Sequence, residues 1–291
     1  MQIKVSVIIP YYNDLAYIQD ALDSVFRQSY PHLEVIIVDD GSEECLRIDS
    51  LMIPQGFAVR ILRGQHGGPS SARNLGIQAA TGSVILPLDA DDKIAASYIE
   101  KAVEIIESND QIGIVYCQAC KFGAEQGRWV LPEYSLPTML AGNCIFVTAL
   151  FRKRDWEAVG GFSENMTYGL EDYDFWLKLI SRGAQVYCLP EILFYYRIKE
   201  QSRSKQMEES KQKILSMYDQ IYENHNVLYS EHIQEVLRTL RGNVLELDAA
   251  LQHAAYVHKL IIKWFPLVRF GNWLYGKIFK AHLKNDRQSK P

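Results

Sequence analysis

The sequence predicts an α/β fold: a mostly parallel sheet flanked by helices, with a helical appendage on its C-terminal side. Three observations predict it. Short apolar runs alternate with helical patterns from Val5 to Leu88, as strands and crossover helices do in parallel sheets. The runs are apolar on both faces, which means strands covered on both sides. Three of them stop at polar clusters, Tyr11-Tyr12-Asn13-Asp14, Asp39-Asp40-Gly41-Ser42 and Asp89-Ala90-Asp91-Asp92; ligands of open α/β sheets bind at those carboxyl ends.

The elements follow in order. Val5–Ile9 is a β-branched run that stops at Pro10, and Leu15, Ile18, Leu22, Val25 and Phe26 line one side of a helix from Leu15 to about Arg27. Leu33–Val38 is the second strand; a short helix and a third strand, Ala58–Leu62, come next. Ser70 is expected to cap a helix running to about Ala80. Val84–Leu88 is the fourth strand, and Pro87 within it lacks the N–H of a ladder, so a bulge or the end of regular pairing is expected there. Ile112–Cys120 reads as a strand, and Lys121–Gly142, rich in Gly, Pro and polar residues, as a long loop. Asp172–Arg182 is a helix with Phe175, Trp176, Leu179 and Ile180 on its apolar side. Gln185–Leu189 and Ile192–Arg197 read as two short strands around a turn at Pro190. Beyond Ser202 the pattern is helical, near Met207–Asn224 and from about Ser230 to Phe265. The expected domains are 1–200, the α/β unit, and 201–291, a helical region with a basic, aromatic tail.

Bulk properties narrow the function. At 291 residues, 48% hydrophobic and 23% charged, the composition is that of a globular chain. A net charge of −4 gives no sign of a nucleic-acid binder. Cys45, Cys117, Cys120, Cys144 and Cys188 are odd in number and scattered, which argues for reduced thiols over a disulfide framework. Cys117 and Cys120 lie three apart on a strand and so point to opposite faces, which suits shared metal ligation poorly. No signal-peptide pattern or membrane-length apolar stretch is visible, so the expected location is cytoplasmic.

The acidic cluster carries the first chemistry. Asp89 and Asp91 are two apart, on one side of extended backbone. Carboxylates crowded against an apolar sheet need a cation or hydrogen bonds to offset their repulsion. Oxygen-only ligation suits Mg²⁺ or Mn²⁺, ions that also bind substrate phosphates. The plainer alternative is a turn whose aspartates start the helix near Ala95; convergence with two other polar strand ends favours function.

Several segments together resemble glycosyltransferase family 2, with its GT-A fold, a Rossmann-like sheet. They are Val5-Ser6-Val7-Ile8-Ile9-Pro10-Tyr11-Tyr12-Asn13, Glu34 to Ser42, Gly68 to Ile77, Leu88 to Asp92, Gly160-Gly161-Phe162 and Glu171-Asp172-Tyr173-Asp174-Phe175-Trp176-Leu177. The resemblance covers about residues 3–200 and implies an inverting transfer from a nucleotide-sugar donor, commonly a UDP-hexose, to a saccharide or lipid-linked hydroxyl. It implies that Tyr11, beside Pro10, and Asp40 hold the base, a carboxylate being able to accept an imide N–H. It puts Arg73 near the base and diphosphate. Asp89 would bond the ribose, Ala90 would lie between, and Asp91 would ligate Mn²⁺ or Mg²⁺ bridging the diphosphate. Asp172 would be the general base. Glu171 and Trp176 are candidates for acceptor contact or support, and Asp92 for a helix cap. The family often carries Tyr-Arg-x-His after the last strand, the histidine completing the metal site; here the run is Tyr196-Arg197-Ile198-Lys199. A protonated lysine cannot ligate a metal. Either the metal has one protein ligand fewer, or Lys199 meets the diphosphate itself, or it is a surface lysine.

The tail departs from the rest in charge. From His258 to Pro291 there are eight Lys/Arg against one acid, which leaves about −11 on the remainder. Aromatics interleaved with basic residues over 258–284 suit peripheral contact with an anionic membrane. A helical cap on the α/β domain, or a homodimer interface, fits equally. Other functions kept open are a catalytically silent nucleotide-sugar binder or assembly subunit, and a sugar-phosphate nucleotidyltransferase. The last would want a glycine-rich phosphate loop where Pro10-Tyr11-Tyr12 stands.

Overall fold

The computed structural model describes residues 2–199 and 210–264. The chain forms two compact units, Met1–Ile233 and Gln234–Pro291. The strands of the first are β1 Val5–Tyr11, β2 Leu33–Asp39, β3 Val59–Arg63, β4 Val84–Pro87, β5 Lys93–Ile94, β6 Ile112–Gly123, β7 Gly127–Trp129, β8 Leu150–Arg152 and β9 Gln185–Ile198. They form one sheet in the order β3-β2-β1-β4-β8-β6-β9-β5, with β7 paired to β6. The β3-β2-β1-β4 half is parallel throughout. The other half is mixed, since β8 runs antiparallel to β4 and β6 while β9 is parallel to β6. The helices are α1 Leu15–Phe26, α2 Gly68–Ala79, α3 Tyr98–Ser108, α4 Leu136–Ala141, α5 Lys153–Ala158, α6 Glu171–Ser181, α7 Lys211–Asn224 and α8 Asn226–Glu231.

The predicted alternation of apolar runs and helices appears as the parallel half-sheet. Val7, Ile8, Ile36, Ile37, Ile85 and Leu86 have no exposed surface, and each such side chain contributes roughly 1.5–3 kcal/mol on burial. Helix α2 lies close against β1 and β2: a Cβ on Gly76 would meet Ile8 Cγ2 at 2.6 Å and Val38 Cγ2 at 3.0 Å. An aromatic cluster fills the space beneath α6. Phe175 stacks on Phe162 with ring centroids 4.2 Å apart and meets Phe151 at 4.9 Å.

Several local expectations change. Ser70 does not cap α2; the helix starts earlier, after Gly67, with Pro69 in its first turn, where a fixed φ and a missing N–H cost nothing. Pro87 is the last residue of β4, in register with Ile8, and the Leu88 N–H bonds the Ile8 carbonyl at 2.9 Å. The stretch 121–142 is not one loop: β6 turns back into β7, and α4 follows with Ser135 as its cap. The two strands expected around Pro190 are one continuous β9. Its register on β6 jumps from Leu189 opposite Cys117 to Ile192 opposite Gln118, so Pro190 and Glu191 are absorbed as a bulge, not a turn. The short helix expected after Ser42 is a single 3-10 turn, Ile48–Ser50.

All five cysteines are free thiols; Cys117 and Cys144 are buried and Cys45 is exposed. The second unit is built on α9, Ile233–Trp264, which exposes Leu237, Leu240, Val244, Leu247 and Leu251. Among the described residues no helix is long and apolar enough to cross a membrane. The stretch 258–284, for which membrane contact, a helical cap and a dimer interface are all expected possibilities, lies outside the described residues apart from helical backbone up to Trp264.

Candidate active site

A cleft of about 1000 Å³ opens at the carboxyl ends of β1, β2 and β4. Pro10, Tyr11, Asp40, Arg73, Asp89, Ala90, Asp91, Glu171, Asp172 and Lys199 all line it. The structure thus brings together every candidate but one. Trp176 is fully buried, and its indole N–H donates to the Ile145 carbonyl at 3.1 Å. It cannot touch an acceptor; it supports the Asn143–Ile145 segment that lines the cleft from behind.

At one end, Asp40 follows β2. Its Oδ1 accepts the Gly67 N–H at 2.9 Å and its Oδ2 the Gly68 N–H at 2.8 Å. It thereby does the capping expected of Ser70, and each oxygen keeps a lone pair for a ligand N–H. Beside it, the rings of Tyr12 and His66 stack at 4.4 Å. Both line the cleft. His66 has a φ of 58°, a left-handed conformation that non-glycine residues adopt at a cost. Neither residue was a sequence-level candidate; the only signal was the position of Tyr12 in the first polar cluster.

At the centre, Asp89–Asp92 form a turn between β4 and β5. The Asp92 N–H bonds the Asp89 carbonyl at 3.1 Å. Asp92 caps no helix: it is buried, and its Oδ1 accepts the Arg197 N–H at 2.8 Å. Burial, reinforced by the neighbouring charges of Asp91 and Asp89, pushes its carboxyl well above the ordinary range. Asp91 is raised for the same reasons, burial first and Asp89 second, although Lys199 opposes them. Arg197, which also lines the cleft, fastens the turn, its Nε donating to the Asp91 carbonyl at 2.7 Å and its Nη2 to Asp20 at 2.6 Å.

Arg73, on α2, bridges centre and far end. Nη2 meets Asp89 Oδ1 at 2.7 Å and Nη1 meets Glu171 Oε1 at 2.9 Å. The guanidinium is almost wholly buried, so two carboxylates are its condition for being charged there. Burial would lower its pKa, but Asp89 and Glu171 outweigh that and raise it.

The far end is the start of α6, entered through Leu170 at φ 62°. Asp172 Oδ2 accepts the Asn143 side-chain N–H at 3.1 Å. Burial, then the charge of Glu171, pushes its carboxyl up to about 7, against the lowering effect of Arg73. Asp174 has the opposite fate. It is fully buried, which alone would raise it, but His225, Ser163, Lys178 and Asn224 hold it at about 2. Asn143 and His225 escaped the sequence reading because each acts through a contact with no local pattern.

The acidic turn already holds a cation of its own. Lys199 Nζ lies 2.6 Å from Asp91 Oδ2 and 2.9 Å from Asp14 Oδ2. An ammonium thus stands against the carboxylate expected to ligate Mn²⁺ or Mg²⁺. Among the described residues no group of three or more His, Cys, Asp or Glu side chains is arranged to hold an ion. The described side chains offer a divalent cation no preformed cage, and one held by Asp91 together with substrate phosphates would have to displace Lys199.

Comparison with known proteins gives the family. Residues 6–167 match the family model described as glycosyl transferase family 2. The chain is 30% identical over 226 residues to the putative teichuronic acid biosynthesis glycosyltransferase TuaG of Bacillus subtilis strain 168, covering 76% of this chain and 89% of that protein. It is 27% identical over 244 residues to an uncharacterized glycosyltransferase of Rickettsia felis, covering 80% of this chain but spanning only 38% of that relative's length. Crystallised S. aureus TarS 1-349 shares the fold with a TM-score of 0.58 at 23% identity, over 78% of this chain and 71% of that one. Its complex with UDP-GlcNAc gives a TM-score of 0.62 at 20% identity, over 79% and 73%. The fold is therefore GT-A, and the chain belongs to glycosyl transferase family 2.

Proposed function

We propose that the protein is an inverting glycosyltransferase that moves a sugar from a nucleotide-sugar to a hydroxyl of a saccharide or lipid-linked acceptor in cell-envelope polysaccharide synthesis. One observation carries the reading: Asp172, with its carboxyl near 7, shares a cleft with Tyr11, Asp40, Asp89 and Asp91. A carboxylate poised near neutrality is matched to removing a proton from an alcohol. TarS crystallised with UDP and with UDP-GlcNAc supports a UDP-sugar donor, and the teichuronic acid relative supports an envelope polysaccharide as product.

In this reading Tyr11 and Asp40 face the base and Asp89 the ribose. Arg73, offsetting part of the negative charge of Asp89 and Glu171, eases the approach of an anionic donor to the acidic turn. Asn143 orients the base carboxylate by holding its Oδ2. The acceptor hydroxyl loses its proton to Asp172 as its oxygen attacks the anomeric carbon. The bond from that carbon to the diphosphate oxygen breaks, and the electron pair leaves with the nucleoside diphosphate. One in-line displacement inverts the carbon.

The test pairs binding with turnover. A panel of nucleotide-sugars is screened by thermal shift, and release of nucleoside diphosphate is then followed with candidate acceptors. Asp172→Asn is expected to keep the donor shift and lose turnover. Unchanged turnover in Asp172→Asn would overturn the assignment.

A further inference from the structure

We infer that Lys199 is the resident cation of the donor site: its ammonium takes the diphosphate in place of a metal ion, so that donor binding needs no divalent cation. The inference rests on the donor-site reading above.

A diphosphate brought beside Asp91 meets a carboxylate of its own sign, and some cation has to stand between them. The cation on the spot is Lys199. It reaches in from the end of β9 and lies 2.6 Å from Asp91 and 2.9 Å from Asp14. Its Nζ also sits 5.3 Å from the centre of the Tyr17 ring, a further attraction for a cation. It acts by charge and hydrogen bonding.

The geometry leaves it something to donate. An ammonium has three N–H groups; two are directed at Asp91 and Asp14, and Lys199 lines the cleft where the third can reach a phosphate oxygen. Arg197, the neighbouring cation, is committed to the Asp91 carbonyl and Asp20 and is packed 4.3 Å over the Phe122 ring. It fixes the turn, and Lys199 does the binding. A divalent ion on Asp91 Oδ2 would have to expel the ammonium from both of its carboxylates.

The experiment is calorimetric titration of the full chain with a panel of nucleoside diphosphates, UDP first, in excess EDTA and again with Mn²⁺. The expected affinity for the bound nucleotide changes less than about twofold between the two buffers. Lys199→Met should weaken that nucleotide at least tenfold, as loss of a charge-assisted hydrogen bond does, while the matching nucleoside without phosphates binds as before. Lys199→His should make binding depend on Mn²⁺, since an imidazole can ligate where an ammonium cannot. Wild-type binding that disappears in EDTA and returns with Mn²⁺ overturns the inference and leaves the glycosyltransferase reading standing. Equal weakening of nucleotide and nucleoside in Lys199→Met also overturns it, because the lysine would then only shape the cleft. If Lys199→Met does not melt cooperatively, Lys199→His in the two buffers decides alone. Absence of binding to any nucleoside diphosphate in either buffer removes the donor-site reading, and this inference with it.

Discussion

His225 Nε2 lies 3.0 Å from Asp174 Oδ1, and both side chains are buried. Asp174 sits two residues past Asp172 on α6, so a residue between α7 and α8 steadies the helix that presents the expected base. His225→Ala removes a buried partner of a charged group, at a cost of about 2–3 kcal/mol. The melting temperature should fall by several degrees, and a variant that melts like wild type refutes the link. Asp174 also has a pH signature. Its folded carboxyl lies near 2, below the ordinary value of 3.8, so it stabilises fully above the ordinary value and loses that contribution as pH falls toward 2. Asp174→Asn should flatten the acid limb of the stability curve, measured by urea unfolding at stepped pH.

Asp172 runs the other way. Its carboxyl is raised to about 7, so the folded state favours the protonated form, and the relative stability this confers is lost as pH rises through 7. Transfer, which needs the ionised form, should rise over the same range. Asp172→Asn should cut turnover by about 10²–10⁴ and raise the melting temperature at pH 8. A flat pH–rate profile between 6 and 8, pH values chosen around that carboxyl, refutes the assignment.

Arg73 is shared by Asp89 and Glu171 and lowers Asp172. Arg73→Ala should cost about 3 kcal/mol, because it strips the cation from a buried acidic group. It should also move the alkaline rise in activity to higher pH. Destabilisation without that shift would mean that Arg73 is structural only.

The stacked Tyr12 and His66 rings lie at the base end of the cleft. A stacked aromatic contact is worth about 0.5–1.5 kcal/mol. If a nucleobase extends the stack, Tyr12→Ala should raise KM for the donor about three- to tenfold at unchanged kcat. A fall in kcat at constant KM would argue against a base contact.

Gly76 tests the packing under the site. A methyl there would press on Ile8 Cγ2 at 2.6 Å, so Gly76→Ala should destabilise by about 1–3 kcal/mol through overpacking, despite the better helix propensity of alanine. Chemical denaturation reads this directly.

Most of the parallel half of the sheet was legible in the sequence because β1, β2 and β4 are buried on both faces, and an unbroken apolar run such as Val35–Val38 fits a doubly covered strand and little else; β3, at the sheet edge, is only partly covered. The clustering of Asp40 and Asp89 in one cleft was reachable too, since carboxyl ends of parallel strands share an edge; Asp172, at the start of α6, was implied only by the family resemblance. The mixed half was harder to read. Pro190 looks like a turn along the chain, and only pairing with β6 turns it into a bulge. Ser70 has the chemistry of a cap, but Asp40, at the end of a strand far upstream in sequence, reaches the exposed amides first. Asn143 and His225 depend on tertiary contacts, so no spacing announces them. Lys199 was visible as a departure from the family run, but its partners Asp91 and Asp14 were not.

Two contacts of the end of β9 have a consequence for how the protein assembles. Arg197 and Asp20 are separated by 177 positions, and Lys199 and Asp14 by 185. Such closures bear a large loop entropy before any reward and belong to slow steps of folding. A growing chain can build the β3-β2-β1-β4 half-sheet long before the ribosome has released Lys199. Until then the acidic turn has no cation from β9, and this part of the cleft is incomplete.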